Sequence, residues 1–243
     1  AEDLVEVDPA ASVRAVLRPI SNRLRPALTL IKPCRDLIAA LEDLPLHPGT
    51  KLASRLLALT AARPGMIRWA EPAEFEQLDS TEPVWRVPAA KMKLTRHESE
   101  QDAFDFVLPL SRQSVATIRV ALDLAGRRKY LFPSHWHTHR PLSENALVAA
   151  YRRVPGNSGK HVPHGWRASF ATIMNERAAT AGRPGDRAVI DLMLAHQPRG
   201  VEARYNRAAF MERRRELAQE WADLLMQDLV EPAELIEGPR RRR

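Results

Sequence analysis

A chain of 243 residues with 44% hydrophobic and 28% charged side chains can bury one sizeable core, and none of its apolar runs is long enough to cross a bilayer. The single cysteine, Cys34, excludes an intrachain disulfide and a cysteine-rich zinc site, and fits a reducing compartment. A net charge of +7 and a pI near 10 admit phosphate-bearing partners without identifying one.

Aromatic residues are sparse and Ala and Leu abundant, so helices should dominate. Residues 1–11 are polar and proline-bearing, as in a linker, and the chain starts at Ala1 in an acidic stretch, as a piece cut from a longer protein would. Ser12 is placed to cap a helix with Val13, Val16, Leu17 and Ile20 inward, shortened or kinked by Pro19. Residues 1–30 therefore read as linker and the start of the helical region. From near Cys34 another helix presents Leu37, Ile38, Leu41 and Leu44, and the turn LPLHPGT stops it. Lys51 to Ala62 should be helical, with Leu52, Leu56 and Leu59 inward. Arg63 continues that apolar face by spacing, and Pro64-Gly65 ends the helix. An inward arginine needs a counter-charge: either an ion pair with Glu71, Glu74 or Glu76, or a bound anion.

Val84–Pro88 and Phe104–Leu108 read as two strands of a β-hairpin. The long polar connection between them holds Lys91, Lys93, Arg96 and His97. Ser111 should cap a helix with Val115, Ile118, Leu122 and Ala125 inward, ended by Gly126. The stretch SHWHTHRP alternates His135, His137 and His139. With no cysteine and no fourth ligand nearby, it suits a loop near a nucleic-acid backbone better than a zinc site. Ser143 starts a helix facing inward through Leu147, Tyr151 and Val154. His164 and Arg167, three residues apart, can share one face at a helix start, which Phe170, Ile173 and Met174 anchor. Val189, Leu192, Met193 and His196 fall on one helical stripe, which would make His196 either a core histidine or a site residue. Tyr205 follows on a short segment. Residues 207–229 form the last helix, with Phe210, Leu217, Trp221, Leu224 and Leu225 inward. The tail 230–243 carries a small apolar patch, Leu235-Ile236, and ends in four arginines; disorder, docking on a neighbouring subunit and nonspecific DNA contact are all open to it.

Taken together, these residues resemble one ordered pattern. LTAARPG around Arg63, WRVPAAKMK followed by VLPLS, HGWR, LAH and ARYNR are similar, in order and spacing, to the motifs of the tyrosine recombinase (phage integrase) family. The wording is most like that of integrases from P4-type prophages and genomic islands. The likeness runs over roughly residues 30–229. One acidic residue that the family often carries three positions after its first arginine is replaced here by Met66.

The resemblance implies a mainly α fold with a small antiparallel β-hairpin or sheet, with residues 31–229 as the catalytic domain. It implies a site of Arg63, Lys93, His164, Arg167, His196 and Tyr205. Two guanidiniums would clamp the non-bridging oxygens of a phosphodiester. Tyr205 would attack the phosphorus with His164 as base, Lys93 (or Lys91, with Lys93 preferred) would protonate the leaving 5′ oxygen, and His196 would bind phosphate or orient the site. No metal and no cofactor would be needed. The implied partner is double-stranded DNA at attachment sites, engaged as a homotetramer, in a cytoplasmic, nucleoid-associated protein. A type IB topoisomerase-like strand transferase shares these groups. A catalytically inactive DNA-binding protein is the other alternative, with Met66 as its one supporting feature.

Overall fold

In the computed structural model, which describes residues 25–92, 94, 96–196 and 210–238, one helix is enclosed by the rest. Helix α1 spans Ile31–Asp43 and helix α2 spans Pro48–Thr60. Every residue of α2 is buried, including Lys51, Ser54 and Arg55. Buried polar groups must be paired, and these are. Lys51 donates to the Glu42 carbonyl, Ser54 to the Tyr151 hydroxyl, and Arg55 grips the Glu42 carboxylate at 2.7 and 2.6 Å. The helix starts a turn earlier than its sequence suggests. The His47 ring accepts the Gly49 N–H, and Pro48 occupies a first-turn position where no N–H is required.

Helix α3, Pro64–Trp69, leads into a three-stranded antiparallel sheet ordered β1 (Phe75–Glu76), β2 (Val84–Val87) and β3 (Phe106–Pro109). The expected hairpin is β2–β3, with Trp85 opposite Leu108. The additional strand β1 is two residues long, too short to show a period, and it places Phe75 flat against Trp85, 5.3 Å between ring centroids. The polar connection folds into local turns at Ala89–Lys91 and Asp102–Phe104, with helix α4 (Arg96–Ser99) between them. The Asp105 carboxylate ties its two ends by accepting the Ala89 N–H.

Helix α5, Arg112–Ala125, is capped by the Ser111 hydroxyl, which accepts the Ser114 N–H, and ends at Gly126 with φ 59°. Its buried positions are Ser114, Thr117, Ile118, Ala121 and Ala125, and it packs against α2. Helices α6 (Glu144–Arg153), α7 (Gly165–Thr180), α8 (Asp186–Met193), α9 (Met211–Met226) and α10 (Glu234–Glu237) complete the described fold. Of these, α6, α9 and α10 pack on α2, and Trp221 of α9 donates to the Ala58 carbonyl of α2. The fold is thus mainly α with one small antiparallel sheet, as expected. Residues 230–238, whose docking was left open above, lie on the chain's own core. Leu235 is 3% exposed, and the Val230 carbonyl accepts from Arg55. The helix expected after Ser12 lies outside the described residues. Among those described, no helix is long and apolar enough to cross a membrane.

Candidate active site

Two helices end pointing their last carbonyls at the same place. Helix α2 stops at Thr60, and Ala61 turns the chain through the left-handed region, φ 48°. Helix α8 stops at Met193, and Ala195 does the same at φ 51°. Carbonyls beyond a helix C-terminus lack ladder partners and carry partial negative charge, so they suit cations. The Arg167 guanidinium takes the Ala61 carbonyl at 3.4 Å and the Leu194 carbonyl at 2.6 Å. Arg63 takes the Ala195 carbonyl at 3.4 Å. Arg63 is therefore not a continuation of the α2 stripe, as its spacing suggested. It is the extended residue between two helices, preceding α3, aimed by the break at Ala61.

The carboxylates once eligible to pair with Arg63 are engaged elsewhere. Glu71 and Glu74 hold Lys91, and Glu76 holds Arg86 at 2.6 Å. Among the described residues, neither Arg63 nor Arg167 forms an ion pair. Met66, at the position where the resemblance implies an acid, is buried in the core. The two arginines rest on backbone carbonyls, which stabilise charge without cancelling it. Burial, and then the charge of Arg63, pulls the Arg167 guanidinium down to about 10, still protonated at neutral pH. Burial lowers Arg63 in the same direction.

His164 precedes α7, whose Trp166 and Phe170 sit in the core and fix its start. The imidazole is half-buried, and desolvation, then the charges of Arg167, Arg25 and Arg63, hold it below the usual histidine range. It is a neutral ring, able to accept a proton. His196 lies past the end of α8, not on its buried stripe, because the left-handed Ala195 swings it out. Its side chain is 54% exposed. Nε2 is 3.0 Å from Arg167 Nη2, and Nδ1 is 3.3 Å from Asp191. So Arg63, the His164–Arg167 pair and His196 come together from three separate stretches of the chain.

Lys91 is bound to Glu71, Glu74 and the Trp69 carbonyl, and Trp85 donates to Glu74 at 2.9 Å. This anchors the start of the polar connection to α3 and the sheet. Lys93 and Tyr205 lie outside the described residues. In the histidine-rich loop, His135 stacks on His47 at 5.3 Å, while His137 and His139 pair at 5.9 Å. Among the described residues no group of three His, Cys, Asp or Glu converges as a metal site.

Sequence reasoning missed the carbonyls of Ala61, Leu194 and Ala195, which no side-chain pattern announces. It also missed Asp191, five residues before His196, and the buried His161, whose Nδ1 accepts the Leu28 N–H at 3.0 Å. Asp191 was discoverable, since a helix ending before His196 turns its last carboxylate toward whatever follows.

Residues 32–212 match the phage integrase family. The chain is 34% identical over 168 residues to prophage integrase IntA of Escherichia coli (strain K12), covering 69% of this chain and 36% of that protein. It is 33% identical over 173 residues to prophage integrase IntZ of the same strain, covering 71% and 39%. With the integrase of Enterobacteria phage P4 the identity is 27% over 230 residues, 92% of this chain and 50% of that protein. The chain thus spans half or less of the length of these relatives, and no solved structure matches it. The two-arginine, two-histidine site and this match together place the chain in the phage integrase family, the tyrosine recombinases, alongside its P4-type members.

Proposed function

We propose that the chain carries the strand-cleaving and strand-joining centre of a site-specific DNA recombinase that integrates or excises a mobile element. The observation that supports it most is the pair of guanidiniums, Arg63 and Arg167, set beside two imidazoles with no carboxylate of the described residues bound to either arginine. Such a site attracts a phosphodiester and stabilises the added negative charge of in-line attack.

The Tyr205 oxygen forms a bond to phosphorus as its proton passes to neutral His164. The bond from phosphorus to the 5′ oxygen breaks, and that oxygen leaves as a hydroxyl with a proton from Lys93. Lys93 is the better donor of the two lysines because Lys91 is held by Glu71 and Glu74. The 3′-phosphotyrosyl bond keeps the energy of the broken one, and a 5′-hydroxyl from another strand reverses the step. Every group in this sequence belongs to the chain, so no metal or cofactor enters it.

Exchange of two strands on two duplexes calls for four protomers on paired attachment sites, in the cytoplasm at the nucleoid. Against the inactive reading, Arg63 has a hydrogen-bond acceptor in the Ala195 carbonyl although residue 66 is a methionine. The type IB topoisomerase-like reading shares the chemistry but not the relatives, which are named as integrases. The test is a nicked suicide duplex carrying candidate attachment sites. A recombinase accumulates a covalent protein–DNA product and passes its strand to a second duplex bearing a 5′-hydroxyl. Covalent product with supercoil relaxation but no transfer between duplexes would favour the topoisomerase reading.

A further inference from the structure

The turn after α8 does more than end a helix. Leu194 and Ala195 give carbonyls to Arg167 and Arg63, and His196 gives a ring nitrogen to Arg167. One residue holds this turn from behind. Asp191, in the last turn of α8, accepts the His196 backbone N–H through its carbonyl at 3.0 Å. Its carboxylate faces His196 Nδ1 at 3.3 Å.

The hydrogen-bond roles around the ring have one consistent solution. A guanidinium has donors only, so the Nε2 atom 3.0 Å from Arg167 must accept. A carboxylate accepts, so Nδ1 must carry the hydrogen. Each neighbour demands the same tautomer. We propose that Asp191 is a positioning residue of this site, holding His196 in its Nδ1–H form so that the Nε2 lone pair braces Arg167 against the Leu194 carbonyl. In this state His196 orients the arginine clamp and becomes a donor toward phosphate only after taking a proton at Nε2. Asp191 touches neither arginine, so the clamp keeps its full charge. The consequence for catalysis rests on the recombinase reading; the tautomer does not.

The test has two arms on the whole chain. The first is ring-nitrogen NMR with ¹⁵N-histidine, at about pH 8.5 where ordinary histidines are neutral, with the His196 signals identified by their loss in His196→Gln. The expected pattern is a protonated Nδ1 and a bare Nε2. Asp191→Ala should move the ring to a mixture or to the Nε2–H form, and Asp191→Asn, which keeps an acceptor oxygen, should preserve the wild-type pattern. A wild-type ring in the Nε2–H form, or no change in Asp191→Ala, overturns the proposal. The second arm is single-turnover cleavage of the suicide duplex. Asp191→Ala should lose about tenfold in rate, the worth of one charge-assisted hydrogen bond, with DNA affinity unchanged, and Asp191→Asn should recover most of it. Wild-type rates in Asp191→Ala overturn the proposal. Absence of cleavage by the wild-type chain overturns the recombinase reading instead, while the NMR arm still decides the role of Asp191.

Discussion

The buried His161 makes the fold that carries the candidate site sensitive to acid. The ring is 2% exposed, lies against Trp166 at 4.6 Å and Tyr151 at 6.0 Å, and accepts the Leu28 N–H. Burial pulls it from the ordinary 6.5 to about 4. A histidine held neutral contributes its full stability above the unfolded value of 6.5 and loses it as pH falls toward 4. The loss is about 2 kcal/mol by pH 5 and about 3 kcal/mol below pH 4. Glu42 and Glu74, raised by burial, act in the opposite sense, and Asp186, lowered by Arg213, in the same sense. These groups are common to the wild type and a His161→Asn variant, so a comparison cancels them. Asparagine keeps an acceptor for Leu28 but does not titrate. Urea unfolding followed through the buried Trp85, Trp166 and Trp221 should give a stability gap between the two proteins that closes by about 2 kcal/mol from pH 7.5 to 5. Parallel pH slopes would refute the placement of His161 as a buried neutral acceptor.

Three other outcomes follow from the same geometry. A Cβ on Gly165 would sit 2.5 Å from the Pro26 carbonyl oxygen and 3.2 Å from His161, so Gly165→Ala should cost about 1–3 kcal/mol in urea unfolding; an unchanged midpoint would contradict the packing of residues 26–28 on the His164 turn. His164 is held below the usual histidine range, so it stays neutral further into acid and the acid limb of the cleavage rate should fall below pH 6.5; a limb above that value would exclude His164 as the base. A 5′-bridging phosphorothiolate leaves without a proton, so it should restore cleavage to Lys93→Ala but leave the loss in Arg167→Ala, whose role is charge stabilisation; failure to restore Lys93→Ala would remove it as the acid.

The helices were legible where apolar spacing was regular, as in α1, α6 and α7, and where a cap was explicit, as at Ser111. The hairpin was legible because Val84–Val87 and Phe106–Pro109 are apolar runs around a polar connection. The ordered motifs named the candidate site residues before any geometry, and of these Arg63, His164, Arg167 and His196 fall among the described residues. What escaped was set by backbone, not by side-chain pattern. The left-handed turns at Ala61 and Ala195 fall on alanine, a residue that signals helix, so spacing carried both helices too far. That error put Arg63 and His196 on stripes they do not occupy, and hid the carbonyls that hold the clamp. Ion-pair partners escaped for another reason: Glu71 and Glu74 lie near Arg63 in sequence, but the fold gives them to Lys91 across the start of the polar connection.

The proposed chemistry turns on a tyrosine nucleophile served by these groups. The most direct measurement is the residue joined to DNA. The chain is reacted with a nicked suicide duplex, the product is denatured and digested, and the nucleotide-bearing peptide is sequenced by mass spectrometry. The expected product is a denaturant-stable adduct at Tyr205 through a 3′-phosphate, absent in Tyr205→Phe. An adduct that persists in Tyr205→Phe, or a nick that forms with no adduct at all, would contradict it.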